Sequence, residues 1–136
     1  MMKMFRKYLR HEKGTAAVEF AMVSLLFLAL LLGTVEVGRI FWTWNALQYA
    51  VEETARYAAV HSTATNSALV AYATTKMAGV SVATSQLTVT TATSTISGIS
   101  FIEVTGTYAF ATLVPSLVPA LQSLSLTAKS KVPYVI

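Results

Sequence analysis

The sequence predicts an α+β chain with three parts. One long N-terminal helix is half transmembrane and half amphipathic, a short second helix follows, and a small antiparallel sheet of about three strands packs on the long helix. Three observations predict this. Sixteen uncharged residues, Phe20 to Val35, run into a segment whose apolar residues recur at helical spacing. No proline precedes Pro115. Two later stretches, 100–110 and 124–132, alternate apolar and polar residues, the period of a strand with one buried and one wet face.

The chain starts with a basic segment, residues 1–14, in which Lys3, Arg6, Lys7, Arg10 and Lys13 face one acid, Glu12. Residues 15–61 read as one helix rich in Ala, Leu, Met, Glu and Gln. Its transmembrane part covers about 20–43. Glu19 and Glu36 bracket that part, 17 steps apart, or about 25 Å of helix. Trp42 and Trp44 then belong to an aromatic belt at the outer interface. Above it, Ile40, Trp44, Leu47, Val51, Ala55 and Ala58 form an apolar stripe, with Glu52 and Arg56 as an i,i+4 pair beside it. Phe41, Tyr49 and Tyr57 read as further interface anchors and core. Gly33 and Gly38 each weaken the helix by about 1 kcal/mol relative to Ala; they mark either a place to bend or a place for close packing against another helix.

The remainder, 62–136, reads as a small extracytoplasmic α+β domain. Asn66 is expected to cap a second helix over 67–78, stopped by Gly79, with Leu69, Tyr72, Ala73 and Met77 on its apolar face. Ser81 to Ser97 holds ten hydroxyl residues in seventeen. Leu87 and Val89 alternate with threonines there, so a strand is expected over 86–92, followed by a mobile loop to Gly98. In the two clearer strands, Ile102, Val104, Tyr108, Phe110, Leu124, Leu126, Ala128 and Val132 form the buried set. Pro115 and Pro119 keep the apolar Leu113–Leu121 stretch out of regular strand structure.

Charge excludes one class of function. The net charge of +4 resides in residues 1–14, because the five basic and five acidic residues of 15–136 cancel. The basic excess is therefore a topology signal that holds the N-terminus in the cytoplasm, not a phosphate-binding patch, and nucleic acid is not an expected partner. Absence of cysteine removes thiolate metal sites. Residues 15–136 keep one histidine, His61, with no second base beside a nucleophile, no paired histidine spacing and no Gly-rich loop opening a helix. No enzymatic activity, cofactor or metal is expected.

Glu19 is the residue that asks for an explanation. An acid at the centre of a membrane helix costs roughly 2.5–3.5 kcal/mol, and less near its end. An anchor alone would gain by replacing it. If the chain is cut after Gly14, a free amine appears on Thr15, four residues from Glu19.

The basic leader ending in Gly14, followed by Thr15, Glu19 and Phe20, resembles the class III signal of type IV pilins and pseudopilins. From Gly14 to Val60, the segments "AAVEFAMV" and "VEVGRIFWTWNALQYAVEETARYAA" resemble TadE-like minor pilins of the tight-adherence, Flp-type secretion system. The resemblance implies cleavage between Gly14 and Thr15 by a prepilin peptidase, and an assembly role for Glu19 and Phe20. It also implies other pilins and the inner-membrane tight-adherence machinery as partners, with membrane lipid, and roles in adhesion, biofilm formation or secretion. Glu36, Gly38 and Arg39 are candidate helix-interface residues, with Glu36–Arg39 as an i,i+3 pair or a contact to another pilin. The expected location is the bacterial inner membrane, single pass, N-terminus in and C-terminus out, with incorporation in a surface pilus. The alternative is an uncleaved single-pass anchor displaying an extracytoplasmic interaction module.

Overall fold

The structure, a computed structural model, describes residues 12–80, 82–113, 115 and 124–134. Residues 1–11 of the basic leader and the 116–121 part of the proline-marked stretch lie outside the described residues. Five elements follow in order: α1 (Glu12–Val60), α2 (Asn66–Ala78), β1 (Leu87–Ile96), β2 (Ile99–Ala109) and β3 (Ser125–Tyr134). The class is α+β, as the periodicities require. By internal packing the chain divides between Val37 and Gly38.

In the unit up to Val37, α1 is helical from Glu12, so Gly14 lies inside the helix and does not act as a breaker before it. Large apolar side chains cover its surface: Phe20, Leu25, Leu26 and Phe27 are among those exposed. The polar atoms of its two hydroxyl residues in the apolar run are turned inward. Ser24 Oγ donates to the Ala21 carbonyl at 3.0 Å and Thr34 Oγ1 to that of Leu30 at 2.9 Å. Such bonding to the preceding turn removes the cost of an unsatisfied hydroxyl in an apolar medium.

In the unit from Gly38, the three strands form one antiparallel sheet in the order β1-β2-β3. Its buried face carries Val89, Val104, Tyr108, Phe110, Leu126 and Ala128, which join Leu47, Val51, Ala73 and Met77 in one core. Full burial of a Leu, Val or Met side chain contributes about 1.5–3 kcal/mol. The wet face pairs Thr88 with Thr107 and Thr127, then Thr90 with Thr105 and Lys129.

The part of α1 that covers the sheet is chosen for small size. Thr43, Ala46, Leu47, Ala50, Val51, Thr54, Ala55 and Ala58 are buried. Trp44, expected in this stripe, is 42% exposed. By helical angle Trp44 falls between the buried Val51 and Ala55, so the helical period does not account for its exposure. Small residues allow close approach, and β2 meets them with Gly106. A Cβ at Gly106 would stand 2.5 Å from Val51 Cγ2 and 3.0 Å from Leu47 Cδ1. Thr54 is tolerated in the core because its Oγ1 donates to the Ala50 carbonyl at 2.7 Å.

Two local expectations are corrected. The cap of α2 is Thr65, not Asn66: Thr65 Oγ1 accepts from the Ala68 N–H at 3.3 Å. Asn66 Oδ1 instead accepts from Thr91 Oγ1 at 3.0 Å. Gly79 does follow the helix, with right-handed φ of −61°, and its N–H donates to the Thr75 carbonyl at 3.0 Å. The second correction concerns the hydroxyl-rich stretch. β1 does not give way to a loop after residue 92 but continues to Ile96, each residue opposed by one of β2. Ser97 and Gly98 then turn the chain in two residues, both left-handed at φ 52° and 79°. Positive φ at both positions is the geometry of a tight hairpin whose twist matches its strands. Threonine-rich low complexity is here β-branched strand material.

Gly106→Ala should destabilise the folded domain by about 1–3 kcal/mol, because Val51 is stiff at χ1 and has no void to enter. Denaturation of the full chain in detergent micelles, followed by near-ultraviolet circular dichroism, checks this. An unchanged midpoint would mean that helix and sheet can separate at no cost.

Candidate functional site

The sequence-predicted site residues all lie on α1. Gly14 and Thr15 occupy its first turn, and both are exposed. Glu19 follows one turn later, also exposed, and Phe20 beside it is 74% exposed. Among the described residues Glu19 has no hydrogen bond or ion pair. Its neighbours one turn away along the helix are Thr15, Ala16, Met22 and Val23, none of them charged. The acid is thus presented on an apolar helix without a local partner.

Glu36, at the other end of the apolar run, differs. It is 3% exposed and is engaged in an interaction. A buried carboxylate persists only where it is hydrogen-bonded or paired. Arg39 Nη2 lies 3.5 Å from the Ala111 carbonyl, and its guanidinium carbon lies 5.2 Å from the centre of the Phe110 ring. The arginine therefore fastens α1 to the end of β2 through both a donor and a cation–π contact.

The glycines of α1 carry a different message. A Cβ placed at Gly14, Gly33 or Gly38 meets nothing within 4 Å. The helix continues through all three. No packing within the chain, among the described residues, requires glycine there.

Higher on α1 the charged residues form an exposed ladder. Arg56 Nη1 lies 2.6 Å from Glu53 Oε1, closer than its 3.6 Å to Glu52, so the i,i+3 partner outcompetes the expected i,i+4 one. Lys76 of α2 approaches Glu53 at 3.9 Å. The Tyr57 ring stacks on His61 at 4.1 Å and on Tyr72 at 4.3 Å, and Lys76 lies over Tyr72 at 5.1 Å. The hydrogen bond to Tyr72 raises the Lys76 pKa above the ordinary lysine value. Exposed pairs of this kind contribute little to stability; the Tyr57–Tyr72 stack also joins α1 to α2. His61 is spent in this arrangement, with Nδ1 3.0 Å from the Tyr57 carbonyl oxygen.

The described residues include the linings of small clefts, among them a pair of about 160 Å³ each. One lies between His61, Ser62, Asn66, Thr91, Thr93 and Ile102. The other is apolar, between Trp42, Asn45, Tyr49 and Val80. The first cleft sets His61 beside Ser62, but the His61 Nδ1 faces the Tyr57 carbonyl oxygen and not the hydroxyl. Among the described residues no three His, Asp or Glu side chains converge as a metal-ligand set. Gly106, which admits Leu47 and Val51 to the sheet, was not legible as special in the sequence; a glycine amid an otherwise alternating strand is the signal that a neighbour comes close.

Among the described residues one helix, Gly14–Val60, is long and apolar enough to cross a membrane, and its most apolar stretch has no residue buried within the structure. A model of the TadE-like protein family matches residues 14–56. The match coincides with the segment that carries the resemblance read from the sequence. This family is pilin-related, belongs to the Tad system and is not a family of enzymes. No curated protein and no solved structure matches the chain.

Replacing Gly33 and Gly38 with alanine should stabilise the helix by about 1 kcal/mol each, since the space for a Cβ is open and glycine is the poorer helix former. Thermal unfolding of the double variant in micelles reads this directly. A loss of stability would show that the chain's own packing needs the glycines.

Proposed function

Residues 14–56 are TadE-like, and from that premise we propose that the chain is a minor pilin or pseudopilin of a tight-adherence, Flp-type system. It is made as a membrane-held precursor, processed by a prepilin peptidase between Gly14 and Thr15, and used in assembling a surface pilus for adhesion or secretion. The observation that carries this reading is Glu19: one carboxylate, without a local partner, on a helix whose surface is otherwise apolar. After cleavage each subunit carries a positive Thr15 amine and a negative Glu19. Glu19 of one subunit pairs with the amine of another. Such a pair adds little net stability, but a misregistered neighbour leaves a charge unpaired in an apolar core, so the pair specifies axial register. Phe20 adds apolar contact beside the acid.

Orientation follows from the basic leader, which stays in the cytoplasm while the domain from about residue 62 lies outside. Glu36 and Arg39 act within the helix as an i,i+3 pair. The open surface at Gly33 and Gly38 suits close approach of a neighbouring helix, where small residues let backbones meet. Partners are the prepilin peptidase, other pilins, the inner-membrane assembly machinery and lipid.

Processing is tested by mass spectrometry of the membrane-extracted protein. The mature chain should begin at Thr15 and hold 122 of the 136 residues. Replacing Gly14 with a bulky residue should leave an inserted, uncut precursor. A dominant product with another N-terminus, or an intact leader in wild type, would favour an uncleaved anchor.

Glu19→Val should separate processing from assembly. Insertion is no worse, because the segment becomes more apolar, and cutting at Gly14 continues. The Thr15 amine of a neighbour loses its partner, at a cost of several kcal/mol if it cannot reach water. The variant should accumulate as a processed membrane protein missing from sheared filaments or pilin complexes. Wild-type amounts in those fractions would reduce Glu19 to a hydrated interfacial acid.

A further inference from the structure

The bond between Gly14 and Thr15 lies in regular helix. α1 runs from Glu12 to Val60, so both residues and those after them have helical backbone. In an α-helix each carbonyl accepts from the N–H four residues on. The Gly14 carbonyl is therefore the acceptor of the Val18 N–H, and Gly14 to Val18 closes one turn.

Hydrolysis needs that carbonyl free. Water's oxygen joins the Gly14 carbonyl carbon, the bond to the Thr15 nitrogen breaks, and water's two protons end on that nitrogen. The products are a Gly14 carboxylate and a Thr15 ammonium. As the tetrahedral centre forms, the Gly14 oxygen gathers charge that donors of a peptidase must reach. A carbonyl bonded within its own helix denies them that position. An extended backbone, by contrast, is the form that a binding cleft can pair with through its main chain.

Composition makes this the turn that opens most readily. Gly14 is the poorest helix former after proline, and Thr15 and Val18 are β-branched. From Phe20 to Leu32, leucine, alanine and methionine predominate, and these are good helix formers. Val18 is 61% exposed, so no burial within the chain resists its movement.

We propose that unwinding of the Gly14–Val18 turn gates processing, and that Val18 sets the rate through the stability of that turn. Only the opened fraction is competent, so the apparent rate scales with that fraction. Val18 is thus a positioning residue of the substrate, acting through the carbonyl four residues before it. The inference rests on the cleavage reading given above.

The test uses the full-length precursor in membranes with a prepilin peptidase at limiting level. Mass spectrometry follows the appearance of the chain beginning at Thr15. Val18→Ala and Val18→Gly both remove the isopropyl group, yet they move helix propensity in opposite directions from valine. Val18→Gly should be cut about fivefold faster than Val18→Ala, with wild type between them. Loss of a side-chain contact to the peptidase would slow both. The same two substitutions at Val23, whose N–H belongs to a later turn, should be cut at equal rates. Equal rates at Val18, a slower glycine variant, or the same gap at Val23 would overturn the gate while leaving the cleavage reading intact. Absence of a Thr15 N-terminus from the wild type would overturn both.

Discussion

The contact of Gly106 with Leu47 and Val51 is the constraint on which the folded domain depends. A helix can lie close to a sheet only if the strand beneath it has no side chain to hold it off. With hydrogen in place of Cβ, the helix settles onto β2, and the alanines at 46, 50, 55 and 58 bring the rest of that face into contact. Burial of Val104, Tyr108 and Leu126 follows from this closeness. So does the placement of α2, whose Leu69, Ala73 and Met77 close the core. The sheet's apolar face needs cover, and α1 supplies it through Leu47 and Val51.

Up to Val37 the surface of α1 is apolar apart from Glu19, and its hydroxyls are bonded back to the helix, as a segment able to cross a membrane requires. From Gly38 it buries one narrow face of small residues and shows ionic pairs on another. Glu19 and Glu36 are both carboxylates at the limits of the apolar run, yet their settings are opposite. One is exposed without a local partner and the other is buried and engaged.

The sequence by itself determined the kind and order of the elements. Helical spacing from Thr15 to Val60, absence of proline, and alternation in 100–110 and 124–132 are local properties that persist in any packing, so they were legible. The leader, Gly14, Glu19 and Phe20 stand out for the same reason, since a charge in an apolar run is conspicuous without coordinates. Other features belong to pairs of surfaces, and only the tertiary structure decided them. Trp44 is exposed although it shares a helical face with the buried Val51 and Ala55. Gly106 matters because Val51 stands opposite it. β1 reaches Ile96 because β2 supplies a partner for each residue, where composition alone suggested a loop. Thr65 caps α2 because Asn66 is drawn to Thr91 across 25 residues of sequence. Glu36 is buried although its sequence context matches that of an interfacial acid. Each of these outcomes depends on which surface arrives opposite a residue, and one-dimensional periodicity carries no term for that.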